Sequence, residues 1–153
     1  ESAIKNHSDD ILRELLLNGL DPNSDANAQS LMELACFNND ITAVRYLIEF
    51  GANINGNRNG EPLSVAARRG NIEIAEFLIR QGADVNGNNI FGDGSGGKSV
   101  LMYAIDGGRL ECVKLLVENG ADVRYTNNGE SVLSYAEKRP SERVYQYLKE
   151  LAQ

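Results

Sequence analysis

Apolar residues along this chain fall into paired clusters divided by polar, glycine-marked turns. The stretch from residue 61 to residue 86 shows the unit most clearly. Pro62 opens an apolar and alanine-rich run, Leu63 to Ala67, that predicts a tightly packed helix. Proline is tolerated in a first helical turn because the N–H it lacks has no partner there. Gly70 and Asn71 interrupt the run as a turn. Ile72, Ile74, Ala75, Phe77, Leu78 and Ile79 then predict a second helix whose apolar stripe is wide enough to be sandwiched. Gly82 can take the left-handed conformation that caps a helix, and residues 83–86 leave in extended form. One such pair cannot bury both of its faces, so neighbours are needed.

The neighbours are present. The string Leu-Ile-Glu-Phe-Gly-Ala-Asn-Ile-Asn occupies residues 47–55. Leu-Ile-Arg-Gln-Gly-Ala-Asp-Val-Asn occupies 78–86, and Leu-Val-Glu-Asn-Gly-Ala-Asp-Val-Arg occupies 116–124. A weaker copy, Leu-Leu-Asn-Gly-Leu-Asp-Pro-Asn, lies at 16–23. The anchoring glycines, Gly19, Gly51, Gly82 and Gly120, are 32, 31 and 38 residues apart. Each later copy follows an opener: Ser30-Leu31-Met32, Glu61-Pro62-Leu63, Ser99-Val100-Leu101 and Ser131-Val132-Leu133. This pattern resembles the ankyrin repeat, with its period of about 33 residues and Thr-Pro-Leu-His opener. The resemblance spans nearly the whole chain. The Gly-Ala-Asp-Val-Asn exit and the Gly-Asn-Ile-Glu-Ile turn carry it, while no opener keeps the full Thr-Pro-Leu-His.

The resemblance implies an all-α fold: a solenoid of stacked helix-turn-helix units with short hairpin-like connectors, about four repeats plus terminal caps. Residues 1–153 then form one domain. Residues 1–19 read as an N-terminal cap pair, with helices at 2–6 and 9–18. Residues 20–51, 52–82 and 83–120 read as repeats, and 121–153 as a C-terminal cap repeat. Pro140 stops the penultimate helix near residue 139, and Ser141 is the expected N-cap of the last. The final helix carries a thin stripe of Val144, Tyr147, Leu148 and Leu151 among charged residues. The ends therefore read as wet caps, which predicts a complete unit and a monomer. The first residue is not methionine, which also fits a piece of a longer protein.

Composition narrows the function. The 153-residue chain carries a net charge of −7, with a pI near 4.7. That argues against nucleic acid as partner, because phosphate binding needs an excess of Lys and Arg. No apolar run approaches the ~20 residues of a membrane span, and no leader pattern is visible. Cys36 and Cys112 fall two repeats apart. Repeats stack at roughly 10 Å, so that separation well exceeds the ~7 Å that a disulfide allows between Cα atoms. Both cysteines read as small buried hydrophobes in a reducing compartment, which points to the cytoplasm. His7 is the single histidine and reads as a turn residue. With one histidine and no closely spaced cysteines, no metal site and no catalytic constellation assembles, and no cofactor is expected. Tyr46, Tyr103, Tyr145 and Tyr147 fall at core-like helical spacing and read as packing.

One constellation suggests other chemistry. From Gly92 to Ser99 the sequence fits the phosphate-binding pattern G-x-x-x-x-G-K-S, in an insertion at residues 86–98 that lengthens one connector by about five residues. In such loops backbone N–H groups cradle phosphates, the lysine reaches them and the serine holds magnesium. A buried strand must precede the loop, and residues 84–91 do not read as one. Ser99 also has a competing role as a helix opener. The insertion reads instead as a flexible finger, which costs little because closure entropy grows slowly with length.

The family resemblance also implies where a partner binds: on the hairpin tips and on the outward residues that end each first helix. At the helix ends these are Phe37, Asn38, Arg68, Arg69, Asp106, Lys138 and Arg139. At the tips they are Arg58, Glu61, Phe91, Asp93 and Lys98. Arg68, Arg69, Lys138 and Arg139 place four cations on one ridge of an acidic protein, with Asp106 interrupting the row. Phe37 is an outward aromatic, and interfaces favour aromatic and arginine anchors. The expected function is a protein-protein interaction module, binding a protein or peptide without catalysis. Two alternatives remain: an acidic inhibitor of a basic protein such as a nuclease or toxin, and nucleotide binding through the loop from Gly92 to Ser99. A purely structural domain of a longer chain is a further reading.

Overall fold

A computed structural model describes residues 2–26, 29–57, 61–88 and 97–153, with the backbone alone at 2–7 and 26. Among the described residues the elements are α1 (Ser2–Leu17), β1 (Asp25–Ala26), β2 (Gln29–Ser30), α2 (Leu31–Phe37), α3 (Ile41–Glu49), α4 (Glu61–Arg69), α5 (Ile72–Arg80), α6 (Val100–Gly107), α7 (Leu110–Glu118), β3 (Thr126–Asn127), β4 (Glu130–Ser131), α8 (Val132–Glu137) and α9 (Glu142–Leu151). Helices α2, α4, α6 and α8 pack side by side in one row. Helices α3, α5, α7 and α9 form a second row behind them, and α1 packs on α3. The structure is the helix-pair solenoid that the repeat predicts. Among the described residues no helix is long and apolar enough to cross a membrane.

Local chemistry explains why each unit has this shape. At the openers, the hydroxyls of Ser30, Ser99 and Ser131 accept hydrogen bonds from the backbone N–H groups of Glu33, Met102 and Ser134 at 3.0, 3.3 and 3.1 Å. Each satisfies a donor that has no partner inside the helix. At the exits, Gly51, Gly82 and Gly120 have φ of 90°, 92° and 89°. The following N–H of Ala52, Ala83 and Ala121 donates back to Leu47, Leu78 and Leu116, which closes each second helix with a Schellman motif.

The recurring exit motif is a staple between units. Asn53, Asp84 and Asp122 each accept from the backbone N–H two residues on, forming a tight turn. The asparagine so positioned reaches the next unit. Asn23 Oδ1 accepts from Asn53 N–H at 2.7 Å, Asn55 from Asp84 N–H at 2.8 Å, and Asn86 from Asp122 N–H at 2.7 Å. The last copy carries Arg124 in place of that asparagine, and the row of staples ends there.

The core follows the row-on-row packing. Leu63, Ala66 and Ala67 of α4, Ile74 and Leu78 of α5, and Leu101, Met102 and Ile105 of α6 are at most 1% exposed. Burying each large side chain contributes about 1.5–3 kcal/mol. Cys36 and Cys112 are buried free thiols, and burial pushes the Cys36 pKa up to about 12. Tyr46, Tyr145 and Tyr147 pack against this core as expected. Tyr103 is half-buried.

Several expectations need correcting. The two N-terminal helices are one continuous helix, α1, because nothing between residues 6 and 9 is a glycine or proline that breaks a helix. The predicted turn at His7 therefore lies within a helix. Helix α8 ends at Glu137, so Lys138 and Arg139 lie beyond it. Ser141 sits at the start of α9, but its side chain makes no capping bond. The ends are also less wet than expected. Helix α1 turns Leu12 and Leu16 toward the core, but Ile11, Leu15 and Leu17 remain exposed, as does Leu151 of α9. Both ends therefore present apolar side chains to solvent, unlike the caps expected of a monomer.

Candidate functional site

The C-terminal ends of α2, α4 and α6, with the turn from α6 into α7, line an open groove of about 650 Å³. A helix C-terminus carries partial negative charge and favours cations. Arg68 and Arg69 form the last turn of α4 there. The Arg69 guanidinium lies 4.2 Å from the centroid of the Phe37 ring, which is 44% exposed at the end of α2. Arg109 enters from the α6–α7 turn and crosses Gly70, where an added Cβ would meet its side chain at 3.0–3.2 Å. The floor is tight: a Cβ on Gly107 would sit 2.0 Å from the Arg68 carbonyl oxygen. The residue must be glycine for α4 and α6 to approach this closely. Val65 adds apolar surface. Glu33 lies at one edge, where its Oε1 accepts from Gln29 Nε2 at 3.2 Å. Asn71 donates to the Cys36 carbonyl at 2.7 Å and ties α4–α5 to α2.

The next stretch of the ridge differs. Asp106 accepts from Lys98 Nζ at 2.8 Å, from Tyr135 Oη at 2.6 Å and from Arg139 Nε at 2.9 Å. The Arg139 guanidinium also stacks 3.9 Å over the Tyr135 ring. Burial pushes the Asp106 carboxyl upward, but the hydrogen bonds from Lys98, Tyr135 and Arg139 outweigh it and hold the pKa below the ordinary value. Burial pulls Lys98 down, and its bonds to Asp106 and Tyr135 leave its pKa raised on balance. Lys138 pairs with Glu130 at 2.7 Å on the surface. Among the described residues, Arg68, Arg69 and Arg109 make no ion pair.

The residues expected at a partner site thus divide. Phe37, Arg68 and Arg69 come together in the groove. Asp106, Lys98 and Arg139 form the network beside it. Lys138 is exposed but paired. Asn38 lines a separate cleft against α1 with Ser8, Asp9 and Leu12. Glu61 is buried, at 9% exposure, in the first turn of α4, so it does not present itself to a partner. Arg58, Phe91 and Asp93 lie outside the described residues. Sequence reasoning missed Glu33, Val65, Asn71 and Arg109. One signal could have found Arg109: it occupies the position before a second helix where Asp40, Asn71 and Ser141 stand in other units, yet arginine cannot accept the capping bond.

The loop from Gly92 to Ser99 is described only at its base. An isolated bridge joins Asn88 to Ser99, and Tyr125 Oη donates to the Gly97 carbonyl at 2.7 Å. Lys98 is held by Asp106, and the Ser99 hydroxyl caps α6. The two side chains that a phosphate loop would need are both engaged within the fold.

A family model for ankyrin repeats (three copies) matches residues 1–89 and again 87–153. The chain belongs to the ankyrin-repeat family. Search of the curated proteins returned no match. Within the ankyrin stack, the groove lies where first helices end, the region that the resemblance marks for partners.

Proposed function

We propose that this ankyrin domain is a protein-protein interaction module that seats a protein or peptide partner in the groove around Phe37, Arg68, Arg69 and Arg109, with no catalysis of its own. Ankyrin repeats are in general modules of this kind. The observation that carries the reading is Phe37, an aromatic left 44% exposed in a groove beneath an arginine without an ion pair. Aromatic and arginine side chains are the residue types that dominate binding energy at interfaces. Net charge motivates a basic partner, but the groove's own cations argue against one at this place. Nucleotide binding finds no support, because Lys98 and Ser99 serve the fold.

Affinity capture from source lysate tests the reading, using the intact chain beside an Arg68→Glu/Arg69→Glu variant. A protein retained by the first and lost by the second places function in the groove. Equal retention by both moves the site to another face.

A further inference from the structure

We infer that the segment seated in this groove is an acidic peptide, its Asp or Glu carboxylates paired with Arg68, Arg69 and Arg109 while an apolar neighbour lies on Phe37 and Val65. The inference rests on the interaction reading above and names the chemistry of the occupant.

Charge complementarity carries it. The chain as a whole is acidic, yet this groove gathers three guanidinium groups against one carboxylate, Glu33. Elsewhere on the ridge each cation has a local anion: Lys98 and Arg139 share Asp106, and Lys138 has Glu130. The three groove arginines have none among the described residues. Like charges lining one concavity repel, and an anion set among them relieves that repulsion.

Two of the arginines are also held in place: the Arg69 guanidinium rests on the Phe37 ring, and the stem of Arg109 lies across Gly70. Side chains fixed beforehand lose less entropy on binding. A guanidinium offers a planar fork that matches a carboxylate with two parallel hydrogen bonds. The exposed part of Phe37, with Val65 beside it, gives an apolar neighbour a place to pack.

The test is selection of random short peptides displayed on phage against the intact chain, followed by fluorescence anisotropy with labelled winners. The expected result is enrichment of Asp and Glu, around an apolar residue, relative to the input library. Combined Arg68→Gln and Arg109→Gln should weaken the winners by roughly tenfold or more, the loss of one good charged contact. Raising salt from about 0.05 M to about 0.5 M should weaken them by a similar factor, since the charges are partly exposed. Arg80→Gln, an exposed cation at the end of α5 outside the groove, should leave affinity within about twofold. Circular dichroism on each variant confirms the fold.

Selection of basic or uncharged peptides that need the same arginines overturns the acidic occupant and leaves the interaction module standing. Acidic winners that bind the double variant undiminished put the site elsewhere and also overturn the inference. Winners that bind at least tenfold more tightly once phosphorylated, or a labelled oligothymidine that binds more tightly than they do through the same arginines, reassign the groove to phosphate. No enrichment over an empty support overturns both the inference and the peptide-binding reading.

Discussion

The middle of the ridge and its C-terminal stretch carry the same residue type at the same place in the helix pair, and they use it in opposite ways. Arg68 and Arg69 end α4 facing an open groove. Lys138 and Arg139 follow α8 and are tied to Glu130 and Asp106. The difference lies in the neighbouring unit. Between α4 and α8, helix α6 offers one carboxylate, Asp106, and it turns to Lys98, Tyr135 and Arg139. Toward α4, the same end of α6 presents Gly107, which has no side chain to pair with a cation. In a stack where each unit touches only its neighbours, one residue in the next helix decides whether a cation stabilises the fold or faces outward.

The sharpest way to break this arrangement is at Gly107. A side chain there meets the Arg68 carbonyl oxygen, a backbone atom that cannot move without shifting α4. Gly107→Val should cost ~3 kcal/mol or more, at or beyond the upper end of ordinary overpacking, measured by urea unfolding. Gly120→Ala provides the contrast. Its backbone has φ of 89°, but nothing lies within 4 Å of an added Cβ. It should lose about 1 kcal/mol from backbone strain alone. Equal losses at the two positions would mean that close approach of α4 and α6 is not what fixes the groove's floor.

Asp106 comes next. Asp106→Asn removes the charge on which Lys98 and Arg139 converge and sets an amide N–H₂ among donors. The loss should be about 1–2 kcal/mol, because the carboxylate is only partly exposed and its cationic partners are more so. Arg68→Gln, with no ion pair to lose, should change stability by no more than ~0.5 kcal/mol. A cost at Arg68 as large as that at Asp106 would erase the distinction between the two stretches.

The same network should show in the pH dependence of stability. The Asp106 pKa in the folded chain is held below its unfolded value of about 3.9. Its contribution is therefore complete above that pH and drains away as pH falls through the folded value. Lys98 and Tyr135 are raised, so their contributions are complete below about 10 and are lost as pH rises further. Unfolding free energies followed from pH 6 down to about 3 should fall less steeply in Asp106→Asn than in the parent. An unchanged acid limb would show that Asp106 titrates alike in both states.

How much of this was legible in the sequence depended on whether the information was local and repeated. Gly51, Gly82 and Gly120 declare helix ends four residues after a leucine, and the structure uses them so. Ser99 reads as a helix opener because Ser131 does the same work one unit on. Cys36 and Cys112 read as buried because nothing near them in sequence offers a partner. The continuity of α1 was harder to see, because its middle carries no repeat to compare and no breaker to stop it. The burial of Glu61 is not legible in the sequence, because a residue expected at a hairpin tip forms the first turn of α4. Asp106 looked like an interruption in a row of cations. Its partners lie 8, 29 and 33 residues away, and only the packing of α8 against α6 brings two of them to it. Arg109 lay outside the positions that the family marks, and it reaches the groove because Gly70 leaves a path for its stem.

The smallest effect concerns the pair that carries the functional reading. A cation over an exposed aromatic ring contributes about 0.5–1 kcal/mol. A double-mutant cycle with Phe37→Ala and Arg69→Ala, read by urea unfolding, should return a coupling of that size, with each single change costing less than about 1 kcal/mol. A coupling near zero would mean that Arg69 does not rest on the ring in solution and that the groove is less ordered than its contacts indicate. The modest size is itself informative. A phenylalanine so weakly tied to the fold can be removed with the stack intact, so a loss of partner affinity on Phe37→Ala would report a contact made to the partner and not a collapse of the groove. Gly107→Val cannot make that separation, because it moves the fold and the groove together. The weakest bond in the groove is therefore the best place to ask what the groove is for.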